Sequence, residues 1–211
     1  MRRVAVDARR PAADALAEAV AILQAGGVVA MPTDTLYGLA ADPFSVDAVA
    51  RVFAVKGRSA ERAMPLVAAD LDQIVTQIGP LPELARRLAM TYWPGPLTLL
   101  VTRPPSIPPD VAGGRGEIGV RVPAHAVTRE LCRVYSRLLT ATSANLSGEP
   151  PSNDPDEIAR ALGAGVDLLL DAGRTPGGAP STIVDVTGSE PRLVRPGAIA
   201  WDDVQACMQR G

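Results

Sequence analysis

Aromatic residues make up only 3% of this 211-residue chain, there is one histidine, and there are two cysteines. Each scarcity excludes something. With so few rings, alanine, valine and leucine must fill whatever core the 47% apolar fraction builds. Cys132 and Cys207 lie far apart without metal-ligand spacing, which argues against a disulfide framework or a zinc site and for two ordinary thiols in a reducing cytoplasm. The single histidine, His125, would have to serve any Ser/His/Asp triad. It follows Pro123 near an expected helix start, where capping or packing is its better reading, and nothing around Ser143 forms a nucleophile elbow. Hydrolase chemistry is therefore set aside.

Charge of one sign is also missing. With 21 basic and 23 acidic residues the formal net charge is -2, which argues against nucleic-acid binding over the whole surface and leaves room for a local basic patch. No apolar run reaches membrane-spanning length. The N-terminus begins basic, but Asp7, Pro11, Asp14 and Glu18 break any signal-peptide core. Without a secretion signal, the glycosylation sequon Asn145-Leu146-Ser147 reads as chance. No GxxxxGK[ST] string occurs, so a nucleotide would have its phosphate charge held largely by side chains.

What is present is an alternation of two periods. Residues 13–25 read as an amphipathic helix stopped by Gly26-Gly27, and 28–33 as a buried strand. Ser45 is placed to cap a helix over 46–55. A strand is expected at 65–69, helices near 70–78 and 82–92, a strand at 97–103 and a Pro/Gly-rich loop at 104–116. Then come a strand at 117–122, a helix at 124–135 and a strand at 138–143. Asp154-Pro155-Asp156-Glu157 gives an N-cap, a first-turn proline and a capping box for a helix at 155–162. Three short strands (DLLLDA, STIVDV, PRLVRP) and a final helix, WDDVQACMQR, complete the chain. The interleaving predicts one α/β domain over 1–211, and the late strands without helices predict a mixed sheet whose order the pattern does not give.

Several polar clusters interrupt this frame. Lys56, Arg58 and Arg62 fall at an element boundary, with Gly57 allowing close backbone approach or an unusual turn. They are either a solvated face or a grip on polyphosphate, because arginine binds phosphate oxygens bidentately and lysine adds a point charge. PTDTLYG (32–38) is either a turn satisfying its own backbone or a small polar pocket. TATSANLSG (140–148) carries Ser143 and Asn145 past a strand end, where ligands sit in α/β sheets; its bland reading is a polar turn closed by Gly148. Ser181 opens a strand and Arg195 ends one. Arg121, inside the apolar strand IGVRV, needs an anion, either a carboxylate of the protein or one of a ligand. Gly114, Gly116 and Gly119 match GxGxxG, but the string follows a Pro-rich loop and opens a strand, which is the wrong context for a dinucleotide site.

Taken in order, PTDTLYGL, KGR followed by PL, WPGPLTLL, VRVP, TSANLSG, PSTIVD and VRPG resemble the YrdC-like family, in its single-domain threonylcarbamoyl-AMP synthase branch. The match spans residues 32–197. The family's KxR and SxN signatures correspond to Lys56/Arg58 and Ser143/Asn145, whereas Ser59 and Met64 stand where the family often has Pro and Asn or Lys. The resemblance implies an open, twisted, mixed α/β sheet flanked by helices around a concave, positively charged cavity. It implies synthesis of L-threonylcarbamoyl-adenylate and pyrophosphate from ATP, bicarbonate and L-threonine, the first step of a tRNA modification. Lys56 and Arg58 would be catalytic. ATP would meet Lys56, Arg58, Arg62, Ser143, Asn145 and Arg195, and threonine would meet Thr35, Tyr37, Arg121, Ala141 and Ser181. Magnesium would arrive with ATP, with no dedicated protein ligands and no tightly bound organic cofactor. Implied partners are threonylcarbamoyl-transferase proteins and weakly bound tRNA or RNA, with no membrane and a cytoplasmic location. Few residues follow Arg195, so the extra C-terminal domain of longer synthases is not expected. Two other readings share the signatures: an RNA- or nucleotide-binding paralogue without synthase activity, and a synthase of another carbamoyl-adenylate.

Overall fold

The computed structural model describes residues 1–57 and 63–209. Its elements in chain order begin with β1 (Arg2–Ala5), α1 (Ala13–Gln24), β2 (Val29–Pro32), β3 (Tyr37–Ala40), α2 (Val46–Lys56) and β4 (Leu66–Val67). Next come α3 (Leu71–Ile78), α4 (Glu83–Tyr92), β5 (Leu97–Thr102), β6 (Glu117–Arg121) and α5 (Ala126–Tyr135). The chain ends with β7 (Leu139–Thr140), β8 (Thr142–Ser143), α6 (Pro155–Leu162), β9 (Leu168–Asp171), β10 (Thr182–Asp185), β11 (Arg192–Arg195) and α7 (Trp201–Gln209). The expected Pro/Gly loop holds one short 3-10 turn, Pro109–Ala112.

The strands form two mixed sheets where one was expected. The first runs β1-β9-β2-β3-β8 and the second β11-β10-β5-β6-β4-β7. The join between them is the segment read from sequence as one strand, 138–143. Its first half pairs antiparallel to β4 (Leu66 with Thr140), and its second half pairs antiparallel to β3 (Gly38 with Ser143). Between the halves, the Ala141 N–H donates to the Pro65 carbonyl at 2.8 Å. Ala141 is therefore where the chain changes sheet.

Local chemistry explains most element ends. Ser45 caps α2 by accepting from the Ala48 N–H, and Gly57 ends it in the left-handed conformation at φ 60°. Among the described residues a side chain on Gly57 would meet nothing within 4 Å, and the left-handed backbone alone accounts for a glycine here. His125 caps α5 through its ring, accepting from the Val127 N–H at 3.3 Å. Asp154 caps α6 as expected, but no capping box forms: the Asp154 N–H donates to Ser152 Oγ, which itself donates to Glu157. The nearby serine displaces the glutamate from its expected partner.

Hydrophobic residues on both faces of β2 explain why it reads as an unbroken apolar run. Val29 and Met31 pack with Leu16, Ala19 and Leu23 of α1 and Leu131 of α5. Ala30 faces the other way, into a larger core with Val49, Val52 and Phe53 of α2, Leu97 and Leu99 of β5 and Val120 of β6. Cutting a fully buried leucine such as Leu99 back to alanine would cost about 2–5 kcal/mol. This shared core fixes the sheet edges that carry the polar clusters.

Candidate active site

A cavity of about 360 Å³ opens between the two sheets, inside the size range of small-molecule sites. The β2–β3 turn supplies Thr33 and Thr35; β3 supplies Tyr37; β5 supplies Thr98; β6 supplies Arg121. Ala141, Thr142 and Ser143 come from the sheet-crossing segment, and Pro180, Ser181, Ile183 and Arg195 from the β10–β11 hairpin and its approach.

The PTDT turn satisfies its own backbone and also builds the pocket. Thr33 Oγ1 donates to the Leu36 carbonyl at 2.6 Å and accepts from the Thr35 N–H at 3.2 Å. The Thr33 and Thr35 hydroxyls lie 3.1 Å apart. The Thr35 carbonyl accepts from Thr175 Oγ1 and the Gly177 N–H, at 2.9 and 2.8 Å, which anchors the turn from behind. Tyr37 lines the cavity, but its hydroxyl is engaged elsewhere: it donates to the Gly173 carbonyl at 2.8 Å and accepts from the Ala172 N–H at 3.1 Å. Burial pushes this phenol up to about 12, so it stays a neutral donor.

Arg121 closes β6 and is only 7% exposed. Of the two anions allowed for it, the protein supplies one: Arg121 Nη2 pairs with Asp34 Oδ1 at 2.6 Å. Its Nε–H donates to the Gly95 carbonyl at 2.9 Å. Arg195 donates through Nη2 to the Ser181 carbonyl at 2.8 Å and to Ser181 Oγ at 3.1 Å, and Ser181 Oγ lies 2.8 Å from Thr98 Oγ1. Gly197 lets the hairpin close over this corner, because a Cβ there would lie 2.3 Å from the Pro180 carbonyl oxygen. The Arg195 guanidinium is held below its ordinary range, first by partial removal from water and then by the charge of Arg121. An anion entering the cavity would favour the charged guanidinium and so oppose both effects.

Lys56 and Asn145 do not line this cavity; they meet beside it. The Lys56 ammonium donates to the Ser143 carbonyl at 2.5 Å, the Asn145 carbonyl at 2.8 Å and Asn145 Oδ1 at 3.2 Å. Ser143 Oγ donates to the same Asn145 Oδ1 at 2.5 Å. The two signatures, far apart in sequence, thus form one cluster, with Lys56 at 2% exposure. Arg58 and Arg62 lie outside the described residues. Among the described residues no group of three or more His, Cys, Asp or Glu is placed to hold a metal.

Two residues of the site were not singled out from sequence. Thr98 is a polar residue within the apolar run LTLLV, a signal that was available. Asp34 was read only as part of a turn; its link to Arg121 spans 87 positions and left no local trace.

Three comparisons bear on this geometry. The sequence profile of the Sua5/YciO/YrdC family, described as "Telomere recombination", matches residues 21–197. A threonylcarbamoyl-AMP synthase of Stenotrophomonas maltophilia is 41% identical over 169 residues, covering 79% of this chain and 90% of the relative. One of Bacillus subtilis is 35% identical over 192 residues, covering 90% of this chain and 56% of the relative. The crystal structure of Pyrococcus abyssi Sua5 complexed with L-threonine superposes with a TM-score of 0.91 at 32% identity, covering 97% of this chain and 61% of that one. The chain thus spans nearly all of the first relative and somewhat more than half of the other two.

Proposed function

Because the chain belongs to the Sua5/YciO/YrdC family, we propose that it is a threonylcarbamoyl-AMP synthase, using ATP, L-threonine and bicarbonate. The amine of threonine adds to the carbon of bicarbonate, with loss of water, to give a carbamate. A carbamate oxygen then attacks the α-phosphorus of ATP, an O–P bond forms, and pyrophosphate leaves. No protein nucleophile is required. Holding the reactants in line removes much of the barrier, and fixed cations stabilise charge on the departing phosphates.

The observation that carries this reading is the pair of guanidinium groups, Arg121 and Arg195, on one cavity wall beside Ser143 and Ser181. Arg121 takes the amino-acid carboxylate, with Thr35, Tyr37, Ala141 and Ser181 around the rest of threonine. Arg195 and Ser143 take the nucleotide, joined by Asn145, Lys56, Arg58 and Arg62. Magnesium would come with ATP and offset phosphate charge, with no side chain of this chain assigned to hold it. Transferase proteins that act on tRNA consume the product, and the setting is cytoplasmic; no described helix is long and apolar enough to cross a membrane. The named synthases among the relatives favour this reading over an RNA-binding paralogue without activity.

Pyrophosphate release from ATP tests it. Release should require L-threonine and bicarbonate together and should fall sharply with L-serine in place of threonine. Folded protein that binds ATP but releases no pyrophosphate would contradict it.

A further inference from the structure

Arg121 is held from two sides, and neither contact comes from the cavity. Gly95 accepts from its Nε–H, while the Gly95 N–H donates to the Val122 carbonyl at 2.8 Å. This reciprocal pair fixes one edge of the guanidinium to the backbone. Asp34 Oδ1 takes a second N–H at 2.6 Å. A guanidinium offers five N–H donors in one plane, so two contacts in different directions set that plane. Among the described residues the other donors have no hydrogen-bond partner, and Arg121 is on the cavity wall.

Asp34 itself is not on that wall. It faces a second cavity of about 410 Å³, with His125, Arg9 and Arg174. Its turn is rigid, because Thr33 and Thr35 bond within it and Thr175 and Gly177 anchor it. We propose that Asp34 is a positioning residue: acting from outside the substrate cavity, it aims the free edge of Arg121 at the carboxylate of the amino-acid substrate. The carboxylate also offsets one of two neighbouring positive charges, so Arg121 and Arg195 share a single cavity. This inference rests on the assignment of Arg121 to threonine made above.

The test pairs kinetics with a readout that needs no substrate. Asp34→Asn keeps the shape and removes the charge. It should raise the threonine KM about tenfold while the ATP KM stays within about twofold. In an Arg121→Ala background the same change should add nothing further. In ¹⁵N NMR, the protected Arg121 Nε–H resonance, assigned by its loss in Arg121→Lys, should shift or exchange rapidly in Asp34→Asn. Should that variant fold poorly, Asp34→Glu, which keeps the charge at a displaced position, should show the same KM split on a smaller scale. An unchanged Arg121 resonance with unchanged threonine KM overturns the proposal, as does an equal loss in the Arg121→Ala background. If the resonance moves but Arg121→Ala leaves the threonine KM at the wild-type value, positioning stands and the threonine assignment of Arg121 falls.

Discussion

Two cationic corners flank the same segment, and they spend their charge differently. Lys56 gives its three donors to oxygens of the 143–145 turn and is almost fully buried. Arg121 and Arg195 use part of a five-donor fork on the protein and present the rest to the cavity. A lysine beside a site can be a strut, while an arginine can be strut and ligand contact at once, because its donors point in several directions. The Lys56 corner shapes the turn that carries Ser143; the arginine corner leaves donors facing the cavity.

The largest effect expected from this contrast is that of Lys56→Ala. It removes the ammonium from the half-buried Ser143 and Asn145 oxygens and should cost about 1–3 kcal/mol of stability as well as synthesis. Urea unfolding with pyrophosphate release measures both, and an unchanged unfolding midpoint would erase the distinction between the corners. Arg195→Ala should do the reverse. Its side chain lies on an exposed rim, so stability should hold within about 0.5 kcal/mol, while kcat/KM for ATP falls about 10- to 100-fold.

A smaller change sharpens the picture further. Thr98→Val removes the hydroxyl that meets Ser181 and should lower kcat/KM about fivefold, the worth of one hydrogen bond near 1 kcal/mol. Smallest is the pH dependence of Tyr37. Its folded pKa of about 12 lies above its ordinary value of 10.0, so the folded state keeps a proton that the unfolded chain gives up. Stability from this group is complete below pH 10 and is lost as pH rises toward about 12. Denaturation midpoints across that window should fall less steeply in Tyr37→Phe.

The contrast also separates what was legible in the sequence from what was not. The ends of α2 were readable because Ser45 and Gly57 act within a turn of the helix. The buried strand β2 and the loop before β6 were readable from composition alone. By contrast, β1 is a four-residue strand defined by its distant partner β9, and β3, although it pairs with the adjacent β2, was hidden inside a motif read as a turn. The switch of sheets at Ala141 depends on Pro65 and Tyr37 accepting from the Ala141 and Ala144 N–H groups, which no local pattern encodes. The site followed the same rule. Thr35, Tyr37, Arg121, Ala141, Ser143, Ser181 and Arg195 all line one cavity, yet that Lys56 turns toward Asn145, and Arg121 toward Asp34, emerged only from three-dimensional pairing.

The central claim is that this cavity joins threonine, bicarbonate and ATP through a carbamate. Mass spectrometry of the adenylate formed from ATP, L-threonine and ¹³C-bicarbonate tests it most directly. The account predicts an adenylate of threonylcarbamoyl mass that carries the ¹³C label. An unlabelled threonyl-adenylate, or no adenylate from folded protein that binds both substrates, would contradict it.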